Sequence, residues 1–427
     1  MANPRLRALA WWKKFTKEDI VLAAVGLALI ILSFSFLFKS SPKNTASTFA
    51  LSSELVELTL LRSAKDRGAF CLDGSLPGYH FEKGFGSGSS NWVLHIEGGG
   101  WCDSIASCLS RKTTALGSSH HMELQVQFSG ILSHDSTLNP DFFNWNKVKL
   151  RYCDGASFAG NPESEFHNGT NLFFRGQLIW EAFMDELLAM GMSNASRALL
   201  SGCSAGGLAA MIHCDDFRRR LPMAAAVKCL ADASFFLNEK DVSGRPTMQL
   251  FYQNVVKLHG VAKNLRRDCV ARMDPHLCFF PKQIIGSIKT PLFLVNPAYD
   301  FWQIQHILIP RQAFGGDWRS CRLSIQRCSP HQLEKLHGFR NSLLNALDEF
   351  KKNEEGGMFI NSCFIHCQTM KKTWHGSPYS SKIDNKTIAE TVGDWYFNRE
   401  RVKRVDCPFP CNPSCLNMDF TPPGVHF

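Results

Sequence analysis

The 427-residue chain lacks any internal repeat, any low-complexity tract and any block of like charge. The first two absences exclude a repeat array, a collagen-like or coiled-coil fibre and wholesale disorder. Hydrophobic residues make up 44% and charged residues only 20%, the balance of a globular protein. The 47 basic and 38 acidic side chains leave a net +9, spread along the chain. That excess favours an acidic partner and does not by itself argue for nucleic acid. A body this large buries about three quarters of its unfolded surface, so its core needs no metal.

Long apolar runs are also scarce. The one that stands out is Ile20 to Phe38, uncharged throughout. As a helix it spans about 28 Å, close to the hydrocarbon core of a bilayer. Arg5, Arg7, Lys13, Lys14 and Lys17 precede it, and up to Ser53 only Lys39 and Lys43 follow. This bias keeps the N-terminus cytosolic and sends the rest across. The alternatives are a cleaved signal peptide, whose apolar core is usually shorter, and a buried core helix. The expected organisation is a basic cytosolic segment 1–19, a signal anchor or signal-peptide segment 20–38, a Ser/Thr-rich stalk 39–59 and one catalytic domain 60–427.

Cysteine is not scarce. Sixteen, an even count, fit disulfides in an oxidising compartment. Sequons at Asn168, Asn194 and Asn385 are open to glycosylation there. The spacings Cys363-x3-Cys367 and Cys407-x3-Cys411-x3-Cys415 suggest zinc only superficially, because thiols in that compartment pair with one another. No metal is expected.

From about residue 60, short apolar runs alternate with helical patterns. Strands are expected at 92–96, 148–152, 198–201, 224–230, 291–296 and 358–361. Helices are expected at 177–192, from the elbow to about 220, and at 330–352. Such alternation predicts an α/β fold with a mainly parallel sheet covered on both faces. Chemistry then gathers in loops at the carboxyl ends of the strands.

The sharpest local signal is Gly202-Cys203-Ser204-Ala205-Gly206, between an apolar run and a small-residue helix. This G-x-S-x-G context predicts a nucleophile elbow presenting Ser204. Upstream, His95-Ile-Glu-Gly98-Gly99-Gly100-Trp101 follows a strand. A glycine-rich loop there supplies an oxyanion N–H, from Gly100 or Trp101, and Ala205 supplies the other. The acid is Asp300, in PAYDFWQ after a strand, with Asp232 as rival. The base is His366, in NSCFIHCQT, with His375 and His306 as rivals. These roles amount to acyl transfer from an ester through Ser204, with no cofactor.

Several stretches together resemble the plant pectin acetylesterase family, which also includes the animal Wnt deacylase Notum: SNWVLHIEGGGWCDS, KLRYCDGASFAGNPESEF, LLSGCSAGGLAA, TPLFLVNPAYDFWQ, GGMFINSCFIHCQT and DCPFPCNPSC. They cover about residues 60–415 in family order. The resemblance implies an α/β-hydrolase-like fold and a triad at Ser204, Asp300 and His366. It implies removal of acetyl esters from cell-wall pectin, so the expected partner is that polysaccharide, without nucleic acid, metal or organic cofactor. The apolar N-terminus leaves open a membrane-held or Golgi-resident enzyme, with membrane contact only through that segment. Two alternatives differ in kind. An esterase acting on xylan acetate or a lipid-modified protein would show another acyl-chain preference. A catalytically silent, membrane-tethered wall-binding protein would bind pectin without releasing acetate.

Overall fold

A computed structural model describes residues 55–162, 171–311 and 316–421. The 20–38 segment, and Asn168 with its sequon, lie outside the described residues. Among the described residues, no helix is long and apolar enough to cross a membrane.

Ten strands form one sheet in the order β10-β9-β8-β7-β6-β3-β5-β2-β1-β4. They are β1 (Leu55–Leu60), β2 (Gly78–Glu82), β3 (Asn91–Ile96), β4 (Gln125–Gln127), β5 (Asn146–Leu150), β6 (Arg197–Cys203), β7 (Ala226–Asp232), β8 (Leu292–Val295), β9 (Gly357–Ile360) and β10 (Lys403–Val405). From β5 across to β10 every pairing is parallel. The β5–β2, β2–β1 and β1–β4 pairings are antiparallel. β1 takes up the end of the stretch read as stalk.

The fully buried strands β3, β8 and β9 are near-continuous apolar runs, as strands covered on both faces must be. Their alternation feeds two cores. Leu94, Ile96, Leu200, Cys229, Leu294 and Met358 pack on one side. Val93, Leu199, Leu230, Phe293 and Phe359 pack on the other, against Trp145, Trp395 and Tyr396.

The principal helices are α1 (Ile105–Arg111), α2 (Gly176–Ala189), α3 (Ala205–Arg220), α4 (Thr247–Leu258), α5 (Pro330–Ala346) and α6 (Ile388–Tyr396). α2 buries Ile179, Trp180, Phe183, Met184 and Leu187. The helix expected over 330–352 breaks at Leu347, which separates α5 from a short Asp348–Lys351 turn. All sixteen cysteines are paired: Cys71–Cys153, Cys102–Cys108, Cys203–Cys367, Cys214–Cys229, Cys269–Cys278, Cys321–Cys328, Cys363–Cys415 and Cys407–Cys411. The cysteines with zinc-like spacing are therefore all in disulfides.

Candidate active site

Because β3, β5, β6, β7, β8 and β9 run parallel, the loops leaving their carboxyl ends emerge at one edge of the sheet. Those loops carry the glycine run, Tyr152–Phe158, Ser204, Asp232–Ala233, Asp300 and His366 respectively.

Ser204 occupies the one-residue turn between β6 and α3, with φ 57° and ψ −127°. A non-glycine residue held there stores about 1–3 kcal/mol of backbone strain, which the surrounding packing must offset. Its N–H donates to the Asp232 carbonyl at 2.8 Å. The glycine run packs directly on this turn. A Cβ at Gly98 would lie 2.8 Å from the Cys203 carbonyl oxygen and 3.1 Å from the Ser204 Cβ. Gly206 is just as constrained, lying against the carbonyls of Ile96 and Glu97.

Asp300 follows β8 and is 1% exposed. Its carboxylate caps the short helix Phe301–Gln303 by accepting from the N–H groups of Trp302 and Gln303. It also meets His366 Nδ1 at 2.8 Å and 2.9 Å through its two oxygens. A carboxylate only accepts, so Nδ1 carries the proton and Nε2 is left as the acceptor.

His366 is held by its neighbours. Cys367, at φ 60°, is disulfide-bonded to Cys203, with Cα atoms 5.7 Å apart. Cys363 is bonded to Cys415. One ring nitrogen of His366 lies within 4.8 Å of both sulfurs of the Cys203–Cys367 bridge. The residue before the nucleophile and the residue after the histidine are thus covalently joined.

Asp232 is the last residue of β7, fully buried. Its Oδ2 accepts from the N–H groups of Gln368 and Thr369 and from Thr369 Oγ1, at 2.6–2.8 Å. Oδ1 has no partner among the described residues. Burial raises its pKa, opposed by those hydrogen bonds and by the nearby His366. It grips the His366 loop rather than the ring. His375 donates to Thr387 Oγ1 instead. His306 stacks on Trp302 with ring centroids 4.4 Å apart.

The glycine loop offers donors. Among the described residues, nothing accepts from the N–H groups of Gly99, Gly100 or Trp101. Ala205 opens α3, so its N–H is one of the helix's orphan donors. The loop after β5, which sequence reasoning did not single out, braces this region. Tyr152 Oη donates to the Gly100 carbonyl and accepts from Ser157 N–H. Trp101 Nε1 donates to Ser157 Oγ, which in turn donates to the Ala205 carbonyl, each at 2.8 Å. Both segments expected to donate to an oxyanion are thereby wired through Ser157. Asp154 holds the turn by accepting from Ala156 and Phe158 N–H, and burial pushes its pKa up to about 6. The signal was present in the quoted stretch KLRYCDGASFAG, as polar residues directly after a buried strand.

Asn194 and Asn385 are both exposed. The aromatic rings of Trp101, Phe236 and Trp302 pack edge to face beside the site, with centroids 4.9–5.8 Å apart.

The chain is similar to several known esterases. Pectin acetylesterase 5 of Arabidopsis thaliana is 57% identical over 99% of this chain and 100% of its own length. Pectin acetylesterase 4 of the same plant is 56% identical over 96% and 100%. The human palmitoleoyl-protein carboxylesterase NOTUM is 30% identical over 81% of this chain and 70% of its own. The structure of the Wnt deacylase Notum from Drosophila superposes with a TM-score of 0.70 at 24% identity, over 85% of this chain and 100% of that one. The last likeness establishes a Notum-like α/β-hydrolase fold. The family model Pectinacetylesterase matches residues 50–416, and the chain belongs to that family.

Proposed function

We propose that the protein is a serine carboxylesterase that hydrolyses acetyl esters of pectin, with Ser204, His366 and Asp300 as its triad. The observation that carries the mechanism is the Asp300 carboxylate on His366 Nδ1, in a loop covalently joined to the residue before Ser204. His366 Nε2 takes the Ser204 proton as Oγ attacks the acetyl carbonyl. Asp300 fixes the tautomer and stabilises the imidazolium that forms. The oxyanion is met by the N–H of Ala205 and that of Gly100 or Trp101. The alcohol of the sugar leaves with the proton from His366. Water, activated by the same base, then releases acetate.

The substrate rests on the family and on two relatives named pectin acetylesterases. The eight disulfides fit folding in an oxidising compartment, and the plant cell wall is the location that suits such a substrate. The exposed Asn194 and Asn385 suit glycosylation on that route. Ser204→Ala tests the reading. It is expected to fold with an unchanged melting temperature and to lose acetate release from acetylated pectin by up to ~10⁶-fold. Release at the wild-type rate by this variant would refute the mechanism.

A further inference from the structure

The N–H groups of the glycine loop are aimed by what holds its carbonyls. A trans peptide points its N–H away from its own carbonyl, so a donor fixed on one side orients the other. The Gly99 carbonyl shares a peptide with the Gly100 N–H, and it accepts from Arg111 Nη1 at 2.7 Å. The Gly100 carbonyl shares a peptide with the Trp101 N–H, and it accepts from Tyr152 Oη at 2.8 Å. Burial pushes the Tyr152 pKa up, so that hydroxyl remains a neutral donor. Arg111 is a charged one. It ends α1, whose start is fixed by the Ser104–Ser107 capping box and the Cys102–Cys108 disulfide. Its Nε donates to the Leu116 carbonyl at 2.8 Å. Leu116 in turn packs on Gly99, where a Cβ would lie 2.5 Å from Leu116 Cδ2. One segment therefore clamps Gly99 at both its carbonyl and its Cα. The guanidinium lies over the Tyr152 ring, Cζ 5.0 Å from the centroid, and Nη2 is buried with no acceptor among the described residues. Asp154 feels this charge, yet its oxygens go to the N–H groups of Ala156 and Phe158. As a mere brace such a group is costly, because a buried unpaired donor forfeits its hydration. Its charge has another effect. It draws electron density onto the Gly99 oxygen and leaves the Gly100 N–H a stronger donor, as linked hydrogen bonds reinforce one another. Space is open beside Gly100, where an added Cβ would meet nothing within 4 Å.

We propose that Arg111 is a positioning residue of the esterase: its guanidinium on the Gly99 carbonyl orients and polarises the peptide whose Gly100 N–H meets the oxyanion. The proposal rests on the serine mechanism given above and is independent of pectin as the substrate. It selects Gly100 over Trp101 as the loop's principal donor, because of the two peptides the Gly99–Gly100 one has the cation on its carbonyl.

The test uses full-length protein, 4-nitrophenyl acetate as substrate and a trifluoromethyl ketone as inhibitor. Ser204 Oγ adds to the ketone carbon and its proton passes to His366 Nε2. The carbonyl electron pair then rests on an oxygen that stays negative in the hole. Arg111→Gln leaves a neutral donor, whereas Arg111→Lys keeps the charge without the fork. Arg111→Gln is expected to lower kcat by about 10–100-fold, short of the ~10²–10³ for losing an oxyanion donor outright, with KM little changed. The inhibition constant of the ketone should rise by the same factor. Arg111→Lys should keep more of both than Arg111→Gln, and Tyr152→Phe should lose less of both. Arg111→Met, which keeps the stem and removes every donor, replaces Arg111→Gln if the latter does not fold. Values within ~2-fold of wild type in the uncharged variant overturn the proposal. So does a fall in kcat with the inhibition constant unchanged, which would make Arg111 a brace of the loop alone. A larger rise in the inhibition constant for Tyr152→Phe than for Arg111→Gln gives the oxyanion to the Trp101 N–H and also overturns it. A wild type that neither cleaves 4-nitrophenyl acetate nor binds the ketone sinks the serine mechanism, and the role of Arg111 with it.

Discussion

Asp232 and Asp300 both lie against the His366 loop, yet they bind different atoms. Asp300 meets the imidazole, and Asp232 takes three donors from Gln368 and Thr369. Asp300→Asn turns an acceptor into an amide and favours the wrong tautomer, so kcat should fall by ~10⁴. Asp232→Asn can keep its oxygen on the three donors and place its NH2 where Oδ1 now has no partner. Its loss in kcat is expected to be ~10-fold or less. A larger loss at Asp232 than at Asp300 would exchange their roles. At this scale Ser204 was legible because a turn this tight needs the small residues around it, which leave a local signature. Asp300 and His366 were narrowed only by chain order and loop position. Ser157 and Tyr152 lay in a stretch with polar residues after a buried strand, but their bracing role did not show there, because their contacts cross between loops far apart in sequence.

The elements that carry the site are joined by one covalent bond that crosses the edge of the sheet. Cys203 ends β6 and Cys367 follows His366, so their disulfide fixes the histidine loop to the elbow across 164 residues of chain. Closing so long a loop restricts the unfolded chain, an effect typically worth ~2–4 kcal/mol. The Cys203→Ser/Cys367→Ser double variant should therefore unfold at lower denaturant. Its kcat should fall by about 10-fold while KM stays within ~2-fold, because the Asp232 contacts still hold the loop. Unchanged kcat would show that those contacts suffice. The inner parallel strands could be read from sequence because burial on both faces leaves a largely apolar run. The parallel edge strand β10, half-buried throughout, could not, and neither could β1, β2 and β4. β4 has only three residues, and β1 buries Val56 alone, so neither leaves a clear apolar pattern. The pairing of the sixteen cysteines was likewise illegible, since spacing says nothing about which loops meet.

At the scale of the whole molecule, the interior holds several titratable groups that oppose one another as acid is added. Burial lowers the pKa of His95 to about 3 and of His259 to about 4, and it lowers that of His213 as well. His95 donates from Nδ1 to Ser201 Oγ, whose own proton goes to the Leu94 carbonyl. His259 donates from Nε2 to the Cys102 carbonyl, and its Nδ1 is buried without a partner. All three are neutral in the fold, but they take up protons below about pH 6.5 once the chain is unfolded. More protons are then bound by the unfolded state, so stability falls as the pH drops from there toward 4. Asp154 acts in the opposite sense: raised to about 6, it holds its proton in the fold down through the range where an unfolded aspartate has lost it. Its contribution therefore grows with acid and offsets part of theirs, as does that of Asp232, while His80 and His306, also lowered, add to the fall. Unfolding free energies from urea titrations at pH 7, 6, 5 and 4 should therefore decline with acid. His95→Asn, which replaces the Nδ1 donor with an amide that does not titrate, should make that decline shallower by about one proton, or ~1.4 kcal/mol per pH unit. An equally steep fall in that variant would place the acid sensitivity elsewhere, in the surface carboxylates rather than beneath the glycine loop.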